Sequence, residues 1–163
     1  MQITILDREN LFEVAEFRKT FAHYFIEIFE NDPANAPTIE DLPKICDYFL
    51  NETKYEDSWI FIARDDGVLA GFIIAHIDRF HKDWCQRDGW GLIREIYVAP
   101  EYRKKGIGVE LVAKAEAEMA HFKPLGYYLT CDSGTPFWEK VGYANTGEIE
   151  EINDSYIYVK EAK

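Results

Sequence analysis

Residues 95–109, Glu-Ile-Tyr-Val-Ala-Pro-Glu-Tyr-Arg-Lys-Lys-Gly-Ile-Gly-Val, constrain this chain more than any other stretch. The pattern reads as the end of a buried strand, a turn at Pro100, and a basic loop that opens a helix. Glycines at 106 and 108 let the backbone approach a ligand closely, because no Cβ intervenes. The first turn of the following helix leaves its N–H groups unpaired at the positive end of the helix dipole, which makes an anion site. Arg103, Lys104 and Lys105 add three mobile positive charges at the same place. A phosphate or pyrophosphate suits such a loop best.

Two common phosphate loops are excluded. There is no Gly-x-x-x-x-Gly-Lys-Ser/Thr, and Leu111 stands where the dinucleotide fingerprint needs its third glycine. The stretch instead resembles motif A of the GNAT superfamily of N-acetyltransferases, Arg/Gln-x-x-Gly-x-Gly/Ala after a hydrophobic-Val-x-Pro-x-Tyr run. Here those positions are Arg103-Lys104-Lys105-Gly106-Ile107-Gly108, preceded by Tyr97-Val98-Ala99-Pro100-Glu101-Tyr102. Further on, Phe137-Trp138-Glu139-Lys140-Val141-Gly142-Tyr143 is similar to the Phe-Tyr-Glu-Lys-x-Gly-Phe run of that superfamily. One position departs from the pattern. Trp138 stands where the family has the tyrosine usually cast as the acid that protonates the departing thiolate, and an indole cannot release a proton at neutral pH.

The rest of the chain is consistent with one such domain over residues 1–163. At 163 residues, 47% of them hydrophobic and 15% aromatic, it can bury a sizeable core. Residues 3–6 alternate as a strand, and a helix follows with Asp7 as its expected cap and Leu11, Val14, Phe21, Phe25 and Ile28 as its apolar stripe. A second helix carries Leu42, Ile45, Cys46, Phe49 and Leu50, with Thr38 or Asp41 as cap and Pro43 in its first turn. Ser58 to Arg64 and Val68 to Asp78 are strands joined by an Asp65-Asp66-Gly67 hairpin, and the second, apolar on both faces, is central. Arg79 to Gly91 is a loop, and Leu92 to Val98 is the strand that feeds the phosphate loop. Leu111, Val112, Ala115, Met119 and Phe122 give the next helix its buried stripe. Tyr127 to Cys131 is a strand, Thr135 to Val141 a short helix stopped by Gly142, and residues 143–150 and 155–160 a closing hairpin about Asn153-Asp154. The order βααβββαβαββ matches the GNAT order. The resemblance therefore implies an α+β fold: a mixed, mostly antiparallel sheet of six to seven strands flanked by about four helices.

The formal net charge of −12 argues against nucleic acid and fits a cationic substrate such as an amine. No run is long enough for a transmembrane helix, and residues 1–8 lack the layout of a signal peptide. The 3 cysteines, Cys46, Cys85 and Cys131, have no metal-type spacing and point to a reducing compartment, hence a cytoplasmic protein. No residue pattern points to a metal.

The resemblance implies acetyl-CoA as cofactor, with its pyrophosphate on the N–H groups from Lys104 to Val109 and its pantetheine arm along Ile96, Tyr97 and Val98. Arg103, Lys105, Gly106, Ile107, Gly108 and Trp138 complete the implied cofactor site. It implies acetyl transfer to a primary amine, either of a small molecule, which the acidic charge favours, or of a protein or peptide. A coenzyme A-binding module without catalysis is the third reading, and Trp138 is its argument. An amine is protonated at neutral pH, so a base is needed, and the resemblance implies Glu95, because carboxylates on this strand serve that role in several family members; its alternative role is a structural ion pair. Arg94 is expected on the opposite face of the strand. His76 and His81 are secondary bases. Tyr143 is the candidate acid, with Tyr128 and Cys131 behind it. Trp84, Trp90 and Phe25 are the candidate acceptor residues, and a homodimer is compatible with the resemblance.

Overall fold

The computed structural model of the chain describes residues 1–82, 86–132, 136–150 and 154–162. Seven strands form one sheet: β1 (Gln2–Ile5), β2 (Ser58–Asp65), β3 (Val68–Ile77), β4 (Gly91–Val98), β5 (Gly126–Cys131), β6 (Ala144–Glu150) and β7 (Ser155–Glu161). Four α-helices accompany them among the described residues: α1 (Leu11–Ile28), α2 (Leu42–Glu52), α3 (Ile107–Met119) and α4 (Pro136–Lys140). The strand order is β1-β2-β3-β4-β5-β7-β6, with every pair antiparallel except β4 and β5. This is the α+β arrangement and element order expected from the sequence.

Side-chain alternation splits the core into two layers. Ile73, Ala75 and Ile77 of β3 pack with Leu111, Val112, Ala115 and Met119 of α3. Phe72 and Ile74 face the other way, onto Phe17 and Phe21 of α1 and Cys46 and Phe49 of α2. Both faces of β3 are covered, so it is central. Its hairpin with β2 turns through Asp66 (φ 49°) and Gly67 (φ 81°), the two left-handed residues that a tight hairpin of this twist requires.

Several local expectations are corrected. Asn10, not Asp7, caps α1: its side chain accepts from the N–H of Phe12 at 3.1 Å and of Glu13 at 3.3 Å. Asp7 instead accepts from the Glu9 N–H, in a turn that precedes the helix. The buried face of α1 is Phe17 and Phe21, with Tyr24 and Phe25 packed beside them, while Leu11 and Ile28 are exposed. Asp41 precedes α2 without a side-chain capping bond and accepts from the Thr38 hydroxyl at 2.6 Å. Phe122 lies beyond α3 in a short 3₁₀ turn, its ring edge-on to Trp59. Asn153 of the expected hairpin turn and Thr135 of the expected helix start lie outside the described residues.

The loop from Arg79 to Trp90 is tied to the sheet by one buried carboxylate. Asp78 accepts from the N–H of Gln86 at 2.9 Å, the N–H of Arg87 at 3.0 Å and the hydroxyl of Tyr128. No described helix is long and apolar enough to cross a membrane.

Candidate active site

The connection from β4 to α3 bends through two left-handed residues, Lys104 (φ 63°) and Gly106 (φ 86°). A non-glycine residue there costs about 1–2 kcal/mol, strain that characteristically persists where a site requires the shape. Gly106 occupies the N-cap of α3 and contributes no capping side chain, so the first-turn N–H groups keep their capacity for an external anion. A Cβ at Gly106 would meet nothing within 4 Å, because the loop opens there onto a cavity. A Cβ at Gly108 would press on the Phe137 ring at 3.2 Å, so this glycine admits α4 to the loop.

That cavity has a volume of about 360 Å³. Ile96, Tyr97 and Val98 of β4 form one wall, and Arg103, Lys104, Gly106, Ile107, Gly108 and Val109 form another. Two residues of the expected set are elsewhere. Lys105 turns away, its ammonium 3.6 Å from Asp65 and 4.9 Å from the Tyr102 ring centroid. Trp138 is buried, its ring edge-on to Tyr143 at 5.6 Å. Phe137 and Lys140 line the cavity in its place, with Tyr102. Helical spacing explains this: residues 137 and 140 share a face of α4 that residue 138 does not. Arg103 is not a mobile charge either. Its Nε donates to the Val98 carbonyl at 2.8 Å, and its terminal nitrogen pairs with Glu27 of α1.

Above the cavity the sheet opens. The parallel pairing of β4 with β5 comprises Gly91 with Tyr127 and Leu92 with Tyr128, whereas β4 continues to Val98 and β5 to Cys131. The Ala99 N–H bonds to Ala70 on β3, so strand alternation turns the polar groups of Ile96 and the N–H of Val98 toward the open side, while the Val98 carbonyl accepts from Arg103. An extended ligand chain can pair with that edge.

Just past the last parallel pair, β4 carries an extra residue. Ile93 faces Ala75 and Glu95 faces Ile74, which leaves Arg94 unmatched in a bulge. The expectation that Arg94 and Glu95 point to opposite faces is corrected by this bulge. Glu95 accepts a hydrogen bond from the Tyr24 hydroxyl of α1, and the Arg94 guanidinium lies 5.6 Å from the Tyr48 ring and 5.3 Å from the Phe49 ring of α2. Both therefore stand on the α1–α2 face. Desolvation raises the Glu95 pKa above the ordinary carboxylate value, against the opposing pull of the Tyr24 bond and the Arg94 charge. A carboxylate moved upward in this way is better matched to accepting a proton near neutral pH.

The other candidates are dispersed. His76 is buried on β3, its pKa lowered to about 3 by burial and by the Lys82 and Arg94 charges, with Nε2 3.9 Å from an Asp78 oxygen. His81 is exposed in the loop. Tyr143 is buried in the core beside Trp138 and Lys160, outside the cavity lining, and burial with nearby Glu116 raises its pKa. Tyr128 is committed to Asp78, and Cys131 is half-buried at the end of β5. Trp90 packs edge-on to Tyr128 and under the Arg87 guanidinium, below the point where the strands part. Phe25 lies on α1 and lines a second cavity, of about 280 Å³, with Pro33, Pro37 and Leu42. Trp84 lies outside the described residues. Among the described residues no cluster of three His, Cys, Asp or Glu side chains could hold a metal ion.

The sequence model of the acetyltransferase (GNAT) family matches residues 16–143, a span that contains the loop, the parted strands and α4. The chain belongs to this family. Solved structures share its fold at low sequence identity. PaiA N-acetyltransferase from Thermoplasma acidophilum, determined with coenzyme A, superposes with a TM-score of 0.72 at 19% identity, over 99% of this chain and 100% of that one. Aminoglycoside 6'-acetyltransferase type Ii gives 0.74 at 22% identity, over 99% and 97%. A chain of the NatC complex bound to Gag peptide and coenzyme A gives 0.66 at 19% identity, over the whole of both chains. No curated protein matches the chain in sequence.

Proposed function

We propose that this GNAT-family chain transfers an acetyl group from acetyl-CoA to the primary amine of a small molecule. The observation that carries the reading is the continuity of one cavity from the left-handed loop at Lys104 and Gly106 to the open edge of β4 at Ile96 and Val98. Those residues fit acetyl-CoA. The loop offers first-turn N–H groups and open space at Gly106 for a pyrophosphate, and the strand edge offers main-chain partners to an amide-bearing arm. Solved structures of the same fold contain coenzyme A, which supports this choice of ligand.

When bound, acetyl-CoA supplies the acyl group as a thioester. Lys104 and Lys140 neutralise the phosphate charge around the loop, while Arg103 stays paired with Glu27 and the Val98 carbonyl. Ile96 and Val98 hold the arm in register with β4. A primary amine near pKa 10 attacks only as its free base, and Glu95, with its raised pKa, takes that proton. An indole cannot release a proton, and Tyr143 is buried in the core with its pKa raised, so solvent acts as the acid in this reading.

A small-molecule acceptor is favoured by the charge of −12, which attracts cations, and by the aromatic cluster of Tyr24, Phe25 and Phe29 at the end of α1. The test is thermal unfolding with acetyl-CoA, ATP and NAD, followed by thiol release with panels of small amines and of peptides. A ligand at about a hundred times its dissociation constant stabilises the native state by about 2.7 kcal/mol. A selective shift with acetyl-CoA and turnover of small amines is expected. No shift with acetyl-CoA would overturn the cofactor, and turnover confined to peptides would overturn the acceptor class.

A further inference from the structure

We propose that Tyr24 is a positioning residue for the base, its hydroxyl holding the Glu95 carboxylate in one orientation at the mouth of the opened sheet. The inference rests on the reading of Glu95 as base and adds a partner from a different element, the first helix.

Three observations carry it. The Tyr24 hydroxyl donates to Glu95 Oε2, and among the described residues it is the one side chain that donates to this carboxylate. The tyrosine ring cannot swing away, because it is enclosed by Phe25 at 5.1 Å, Phe72 at 5.7 Å and Tyr97 at 5.6 Å, from α1, β3 and β4. The carboxylate needs such a donor, because a desolvated carboxylate that lacks a hydrogen bond takes up a proton and ceases to be a base. Burial and the Glu95 charge both raise the Tyr24 pKa, so the phenol remains a donor across the working pH range. The other charged or titratable groups acting on the pair are Arg94 beside Glu95 on β4, and Asp132 and Cys131 at the end of β5.

The sign of the effect is fixed. The bond favours the ionised carboxylate, so it lowers the Glu95 pKa against the rise caused by burial. Removing the hydroxyl must move the titration of Glu95 to higher pH. A residue that only packed would leave the titration where it was.

The experiment is a ¹³C NMR titration of the carboxyl-labelled full chain, with E95Q identifying the Glu95 signal. Tyr24→Phe should raise the Glu95 midpoint with acetyl-CoA affinity unchanged. Tyr24→3-fluorotyrosine, a stronger donor of nearly the same size, should lower it, and this keeps the test decisive if the phenylalanine variant folds poorly. A midpoint unmoved in the folded variants overturns the positioning role. The role of Glu95 is decided separately by E95Q kinetics: turnover retained in that variant removes the base and leaves the Tyr24 titration result intact.

Discussion

Arg94 and Glu95 are consecutive in β4, yet both side chains stand on the face covered by α1 and α2. In a regular strand one of them would pass through to the α3 side. The bulge changes this by adding one residue opposite the Ile74–Ala75 step of β3. It follows the last parallel pair, Leu92 with Tyr128, by two residues. One inserted residue thus turns Glu95 toward the α1–α2 face where the sheet begins to open.

Replacing Glu95 by Gln should separate activity from stability. Turnover with a primary amine should fall by roughly 10²-fold while acetyl-CoA affinity holds. The folded-state pKa of Glu95 is raised, so its favourable contribution is full below the unfolded value of 4.5 and is lost as pH rises through the folded value. The variant should therefore melt higher than the parent at pH 7, with the difference closing toward pH 4. Calorimetry across that range, set beside thiol-release kinetics, checks both halves.

Gly106→Val addresses the loop. The backbone at φ 86° is strained for any side chain, and a β-branched one is least able to adopt it. A cost of about 1–2 kcal/mol in the loop, together with a side chain projecting into the cavity, should weaken acetyl-CoA binding at least about tenfold. Isothermal titration measures it, and parental affinity would remove the phosphate role of this loop.

Trp138→Tyr installs the tyrosine that the resemblance to motif patterns leads one to expect here, but the ring belongs to the core beside Tyr143. The smaller side chain should leave a void and lower stability by about 1–3 kcal/mol without raising kcat. Urea unfolding and steady-state kinetics on one preparation test this; a gain in kcat would place the ring in the cleft.

His76 predicts an acid-side loss of stability. Its pKa is lowered to about 3 in the folded chain from an ordinary 6.5, so the unfolded chain binds this proton first. Stability should fall as pH drops from about 6.5 toward 3, by at most about 1.4 kcal/mol per pH unit from this group. Denaturation curves of the parent and His76→Gln should show the parent losing more unfolding free energy between pH 7 and pH 4.5, and an equal loss in both would refute the assignment.

The legible parts of this molecule are those set by local chemistry. Asp66-Gly67 had to be a hairpin because both positions take positive φ, and α3 displays its buried face at regular spacing. Asp7 and Asn10 are equally good caps by residue type, and the winner depends on where Leu6 leaves the sheet after bonding to Ile60. On α1, Leu11 fits the stripe by hydropathy, but the sheet ends before it can cover that turn. The bulge at Arg94 carries no glycine or proline to announce it. The choice of Phe137 over Trp138 for the cavity depends on how α4 docks, which five residues of sequence do not specify.

The short parallel seam between β4 and β5 makes this sheet behave as two leaves, β1 to β4 and β5 to β7, sharing a narrow hinge line. A chain-like ligand seated along Ile96 and Val98 becomes in effect an eighth strand, and its main-chain bonds stiffen one leaf at the place where the two part. Amide hydrogens of Ile96 and Val98 should then exchange fast in the free protein and slowly in the loaded one. The fold keeps a slot in its own architecture that only its reactant completes, so part of its rigidity arrives with the molecule it consumes.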